Sequence, residues 1–252
     1  MAELTGTTVM ILAGGLGTRL REITHNRCPK PMVPVPVGDG SVPFLEFILA
    51  HYRQAGVTDF IICIGHLGEQ VIDHFGDGGR FGLTIRYDDA GAADTGQRVS
   101  NALALVAPAP FLVTCGDTFL GLDVAAFVRD FHAHREWQSQ LAVIADPQTS
   151  APNVAVDAKG LVLAHGQVND SDARLGLETG TMAFRTSAFS DVGAGQDFSL
   201  TKHLFPDLVQ RRTIGGVFVS ADFFDIGTPA GYRRFCDYAA SGQAQPLSRI
   251  VG

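Results

Sequence analysis

Along the first 145 residues, apolar runs of five or six residues alternate with longer stretches of helical period, and this alternation leaves few folds open. Thr8–Leu12 is a short buried strand, and Phe44–Gln54 carries Phe44, Leu45, Phe47, Ile48 and Leu49 on one wide face before Gly56 stops it. Residues 59–64 are extended, 67–75 helical, 83–87 extended, 99–105 helical, 111–115 extended, 124–134 helical and 140–144 extended. Such β-α-β units predict an α/β fold: a doubly wound, mostly parallel, Rossmann-like sheet with helices on both faces. Past residue 150 the rhythm shifts to shorter extended pieces at 153–156, 161–163, 181–184 and 216–219, with helices around 202–210 and 229–238. No Pro/Gly/Ser-rich linker and no internal repeat divides the chain, so residues 1–252 are read as a single domain with a smaller β-rich elaboration.

The first strand runs directly into Leu12-Ala13-Gly14-Gly15-Leu16-Gly17-Thr18-Arg19. Three glycines in four positions permit close backbone approach, so that successive amide groups can face an anion. No Gly-Lys-Ser/Thr follows, which excludes a Walker A loop, and the third glycine of the dinucleotide fingerprint is absent. Two cations accompany the turn. Arg19 closes it, and Lys30 sits between Pro29 and Pro31, whose rings stiffen the backbone and fix where the ammonium points.

Two carboxylates stand at comparable places. Phe111–Cys115 ends in Gly116-Asp117, at the carboxyl end of a strand where open α/β sheets bind ligands. Asp225 follows Phe223-Phe224 and precedes Ile226-Gly227-Thr228-Pro229, a helix entry. Taken alone, each aspartate also suits a turn or a helix cap.

Gly14 to Leu20, followed about ten residues later by Pro29-Lys30-Pro31-Met32, resembles the signature of the sugar-1-phosphate nucleotidylyltransferases. The resemblance extends from Val9 to about Tyr238. It implies an NDP-sugar pyrophosphorylase that joins a nucleoside triphosphate to a sugar 1-phosphate with Mg²⁺. The nucleotide would be held by Leu12, Ala13, Gly14, Gly15, Gly17, Thr18, Thr95, Gly96 and Gly116. Arg19 would neutralise the leaving pyrophosphate, Lys30 would contact phosphate oxygens, and Asp117 with Asp225 would hold the metal. Residues 1–145 become the nucleotide-binding half and 146–240 the sugar-phosphate half.

The middle of the chain departs from that family. Asp94-Thr95-Gly96-Gln97-Arg98 stands for a Gly-Thr-Gly/Ala element, with Gln97 and Arg98 as the departures. The family's Glu-Lys-Pro lysine, which holds the sugar phosphate, is replaced by Leu163-Ala164-His165-Gly166-Gln167, leaving Arg174 as a stand-in. Glu178, Thr179 and Gly180 occupy the place of a sugar-binding turn. The layout most resembles the heptose-1-phosphate guanylyltransferases, whereas residues 59–65 and 113–117 resemble glucose-1-phosphate cytidylyltransferases. GTP with a heptose or hexose 1-phosphate therefore ranks ahead of CTP. A non-catalytic nucleotide- or sugar-phosphate-binding module is the alternative of a different class.

Composition limits the partners. A net charge of −7 and the lack of any Lys/Arg run argue against a nucleic-acid surface. No apolar stretch of about 18 residues occurs, so no membrane span is expected and the chain reads as cytoplasmic. Cys28, Cys63, Cys115 and Cys236 lack C-x-x-C spacing and are expected as reduced, buried thiols. The eight histidines are too dispersed for a zinc site. The oligomeric state stays open, a homodimer included.

Overall fold

The computed structural model of the chain describes residues 4, 6–15, 20–89, 91, 93–107, 109–145, 151–168, 172–192 and 197–250. The first half comprises β1 (Thr8–Leu12), α1 (Arg21–Thr24), β2 (Pro34–Val37), β3 (Gly40–Pro43), α2 (Phe44–Gln54), β4 (Asp59–Ile64), α3 (Glu69–Phe75), β5 (Thr84–Asp89), α4 (Thr95–Ala102), β6 (Phe111–Cys115), β7 (Thr118–Leu120), α5 (Val124–Ala133) and β8 (Ser139–Ile144). The second half adds β9 (Val154–Val156), β10 (Val162–His165), β11 (Arg174–Phe184), α6 (Phe205–Gln210), β12 (Ile214–Phe218), β13 (Phe223–Asp225), α7 (Pro229–Ala240) and α8 (Leu247–Ile250).

Strand side chains alternate between faces, and both faces here are apolar because both are covered. Val9, Ile11, Phe60 and Ile62 join one core with Phe44, Phe47, Phe127, Phe131 and Phe235, from α2, α5 and α7. Met10, Ile61, Phe111 and Val113 join a second core with Val99 of α4 and Phe205 and Leu208 of α6. Helices on both faces of a doubly wound sheet are thus observed as expected. Among the described residues no helix is long and apolar enough to cross a membrane.

The main sheet runs β5-β4-β1-β6-β11, with β8 and β9 both pairing β11, β12 beside β8, and β10 beside β9. β1 pairs in parallel with β4 on one side and β6 on the other. The chain moves outward from β1 to β4 and β5, then returns to place β6 on β1's opposite edge. The carboxyl ends of β1 and β6 therefore border the topological switch point, where this architecture leaves a crevice.

β11 is antiparallel to β6, β8 and β9, so the second half caps the parallel sheet rather than extending its winding. Its eleven residues include Glu178, Thr179 and Gly180, which the sequence reading placed in a turn. The structure corrects this: the segment stays in the strand, and the irregularity is a register shift between Glu178 and Met182 in the pairing with β8. Gly180 absorbs that shift at φ +78, a value that favours glycine. Two small pairs escaped the sequence reading. β2 with β3 is a Pro-containing hairpin, and β7 with β13 is a three-residue ribbon.

Candidate active site

A cleft of about 660 Å³ opens at the switch point, lined among others by Leu12, Ala13, Gly14, Gly15, Lys30, Thr95, Gly116 and Asp117. Eight of the residues singled out in the sequence are thereby brought together, although they are spread over more than a hundred positions. Gly17, Thr18 and Arg19 lie outside the described residues.

Each wall has a local cause. Ala13 N–H continues the sheet by donating to Cys63 O at 2.9 Å, and beyond it no backbone carbonyl among the described residues accepts from Gly14 or Gly15. Their amides remain available to an anion. Gly116 donates to Leu12 O at 3.0 Å, which clamps the ends of β6 and β1 together. A Cβ there would lie 3.1 Å from both Leu12 O and Pro31 Cγ, tighter than ordinary packing. The Lys30 backbone is fixed by a 3-10 turn over Lys30–Met32, entered from Pro29.

Lys30 Nζ reaches Asp117 Oδ2 at 2.6 Å, with the lysine side chain 13% exposed and the aspartate 28%. Asp225 reaches the same corner through the ribbon, where it pairs with Thr118, and Ile226 N–H donates to Asp117 O at 3.0 Å. The Asp225 carboxylate accepts from Gly227 N–H at 2.6 Å, leaving its second oxygen free of that bond. Cys115 reports on the convergence. Burial pushes its thiol well above the ordinary range, the charges of Asp117, Glu178 and Asp225 push it further, and Lys30 opposes them. Among the described residues no group of three or more His, Cys, Asp or Glu is arranged to hold a metal ion. The carboxylates that β6 and the ribbon bring to this corner are those of Asp117 and Asp225.

Thr95 opens α4, with Asp94 as the cap whose carboxylate accepts Thr95 N–H at 2.6 Å. The Thr95 hydroxyl is engaged by Leu200 N–H at 3.1 Å. Gly96 does not line the cleft: it backs onto Phe198, whose ring would sit 2.3 Å from an added Cβ. It is therefore a packing residue between α4 and the segment before α6.

Glu178 on β11 is half-buried, and Asn153 Oδ1 accepts its N–H at 2.8 Å. Burial raises its carboxyl to about 7, partly opposed by the Gly180 N–H that it accepts. Thr179 donates its hydroxyl to Ala142 O at 2.9 Å and is buried, so it braces β11 rather than facing a ligand. Arg174 is not brought to this corner. Its guanidinium lies 3.7 Å over the Phe218 ring, in a second cleft of about 510 Å³ that begins at Phe223 and Phe224 and also holds Arg234. It lies four strand positions before Glu178, roughly 13 Å along β11. Arg174 thus lines a different cleft from Lys30 and Asp117.

Sequence reasoning passed over Pro31, His66, Gly91, Ala93, Asp94, Cys115 and Asp197, which also line the first cleft, and read Arg98 only as a departure. Asp94 carried a usable signal as a capping residue before Thr95. The rest are placed by tertiary contacts. The cysteines are all free, with Cys63 buried and the other three half-buried rather than fully so.

Comparison with known proteins follows the same outline. Residues 8–156 match the family model described as nucleotidyl transferase. The chain is 32% identical over 243 residues to a UTP–glucose-1-phosphate uridylyltransferase of Synechocystis sp., covering 88% of this chain and 61% of that protein. It is 30% identical over 224 residues to the N-acetylmuramate α-1-phosphate uridylyltransferase of Neisseria meningitidis, covering 87% and 92%. It is 26% identical over 230 residues to the D-glycero-α-D-manno-heptose 1-phosphate guanylyltransferase of Campylobacter jejuni, covering 90% and 97%. The chain thus spans about three fifths of the cyanobacterial protein and nearly all of the other two. In fold it is similar to HddC from Yersinia pseudotuberculosis, with a TM-score of 0.76 at 23% identity over 92% of this chain and 99% of that one.

Proposed function

The chain belongs to the nucleotidyl transferase family, and from that premise we propose that it transfers a nucleotidyl group from a nucleoside triphosphate to a sugar 1-phosphate, releasing pyrophosphate. The observation that carries this reading is the Lys30–Asp117 pair, 2.6 Å apart at the end of the cleft where Gly14 and Gly15 keep their amides free. A cation and a carboxylate so close neutralise each other without a ligand. When a triphosphate enters, the ammonium can turn to phosphate oxygens and the carboxylate to a cation.

The reaction needs no covalent nucleophile. An oxygen of the sugar 1-phosphate attacks the α-phosphorus in line, a new P–O bond forms, and the bond to the bridging oxygen breaks as pyrophosphate leaves with the electron pair. Positioning and charge neutralisation supply most of the acceleration. The amides of Gly14 and Gly15 receive phosphate oxygens, Lys30 offsets the charge that builds on them, and the role proposed for Arg19 is to neutralise the leaving pyrophosphate. Asp117 and Asp225 suit Mg²⁺, which is held by one or two carboxylates together with substrate phosphates and water. Bound there, the ion would screen the phosphates and polarise the α-phosphoryl group. Glu178, whose charge acts on Cys115 together with those of Asp117 and Asp225, is assigned to the sugar hydroxyls.

Among substrates we favour GTP with a heptose or hexose 1-phosphate. Support comes from the Campylobacter guanylyltransferase, whose length this chain matches almost end to end. UTP is the second reading, favoured by the two uridylyltransferases at 30% identity or more. The test incubates the protein with GTP, UTP, dTTP or CTP, Mg²⁺ and glucose, mannose, N-acetylmuramate or heptose 1-phosphate, and measures pyrophosphate. Release with GTP that depends on the sugar 1-phosphate supports the reading. Release with UTP alone moves the specificity to the second, and none with any pair leaves a binding module.

A further inference from the structure

Arg98 is 6% exposed, yet its guanidinium has no carboxylate within ion-pair distance among the described residues. Backbone carbonyls surround it instead. Nε donates to Ala93 O at 2.9 Å, Nη1 to Ile64 O at 2.7 Å, and Nη2 to Gly14 O at 3.3 Å and to Gly91 O. Those acceptors belong to the loop after β1, the last residue of β4 and the loop after β5. Asp88 senses the guanidinium: burial raises its carboxyl, Arg98 partly lowers it again, and Asp89 adds to the rise. A buried cation solvated by carbonyl dipoles alone is costly, and an anion in the adjoining cleft would relieve it.

The packing is equally one-sided. A Cβ added at Gly14 would lie 2.0 Å from Arg98 Nη1, 2.4 Å from Cζ and 2.7 Å from Nη2. At Gly65 a Cβ would come within 2.8 Å of Gly14 O and 3.3 Å of Arg98 Nη2. Gly14 does not have a positive φ, so its backbone does not by itself require glycine. The space does, and Arg98 is what fills it.

We infer that Arg98 is the positioning residue of the nucleotide cleft: its buried fork ties the loops after β1 and β5 to the end of β4 in one rim and fixes the Gly14 amide against the incoming phosphates. The glycine at position 14 follows from that arrangement. This rests on the proposed nucleotide reading for its function, while the interlock itself can be tested without any ligand.

The experiment is a double-mutant cycle on thermal unfolding of the unliganded protein, joined to steady-state kinetics. Gly14→Ala is expected to lower Tm by about 5 °C in the native background. In the Arg98→Ala background the same change should cost under about 1 °C, since the clash is gone. Equal losses in both backgrounds overturn the interlock, whatever the activity. For function, Arg98→Ala should raise KM for the triphosphate about tenfold and leave KM for the sugar 1-phosphate unchanged. Arg98→Lys keeps the charge without the fork and should not restore the triphosphate KM. Full rescue by lysine, or a lowered Tm with an unaltered triphosphate KM, would reduce Arg98 to a charge or a packing residue. Should Arg98→Ala fail to fold, the Gly14→Ala cycle in the Arg98→Lys background reads the same coupling. If no triphosphate is turned over by the native chain, the proposed function fails while the unfolding cycle still decides the interlock.

Discussion

The two sides of the Asp117–Asp225 corner are built on opposite principles. Toward β1 the cleft presents free amides, Lys30 and the carbonyl-bound Arg98, a surface that attracts a polyanion and places it by backbone contacts. On the β11 side stand Glu178, whose carboxyl burial raises to about 7, and a second cleft with aromatic rings, Arg174 and Arg234. A carboxyl held near neutrality can accept or donate a hydrogen bond, which suits hydroxyls better than phosphate. On the proposed reading the first side takes the phosphates of the triphosphate and the second the sugar.

The sharpest way to break this contrast is at the shared corner. Asp117→Ala should lower kcat by on the order of 10³-fold with the fold kept, as judged by an unchanged circular dichroism spectrum. Near-native kcat would remove Asp117 from the chemistry. Glu178→Gln should act on one side only, raising KM for the sugar 1-phosphate several-fold and leaving KM for the triphosphate alone. It also has a pH signature. Burial raises the folded-state carboxyl from 4.5 to about 7, so its favourable contribution is full below about 4.5 and is lost as pH rises through about 7. Unfolding midpoints measured between pH 4.5 and 8 should fall more steeply in the native protein than in Glu178→Gln. The smallest effect belongs to Arg174→Ala, which loses the contact over Phe218, worth about 0.5–1 kcal/mol, and should change either KM by less than about threefold. A large loss of sugar 1-phosphate binding would place the sugar further along β11 than Glu178.

The same contrast explains what could be read from the sequence. Elements whose burial is set locally were legible: Phe44–Gln54 and Asp59–Ile64 fall where the apolar pattern puts them. So were the Gly14-Gly15 turn, Lys30 and Asp117, because the chemistry of binding phosphate restricts residue types at fixed spacing. The β2–β3 hairpin was missed because Pro34 and Pro36 argue against a strand that only an edge can tolerate. α4 was placed four residues late, since Thr95, Gly96 and Gln97 look like a loop until Asp94 caps them. Arg98 was invisible as a strut: its partners are backbone carbonyls up to 84 positions away, and carbonyls leave no mark in a sequence. Glu178 was mistaken for a turn residue because its strand breaks register at Gly180.

The central claim is that this corner joins a nucleotide to a sugar phosphate, and ³¹P NMR of a mixture of protein, Mg²⁺, GTP and heptose 1-phosphate, repeated with UTP and with the other sugar 1-phosphates, tests it most directly. The account predicts that in at least one mixture the γ- and β-phosphate resonances give way to free pyrophosphate as a new pair of diester-coupled resonances grows in equal amount. Orthophosphate release, or unchanged spectra in every mixture, would contradict it.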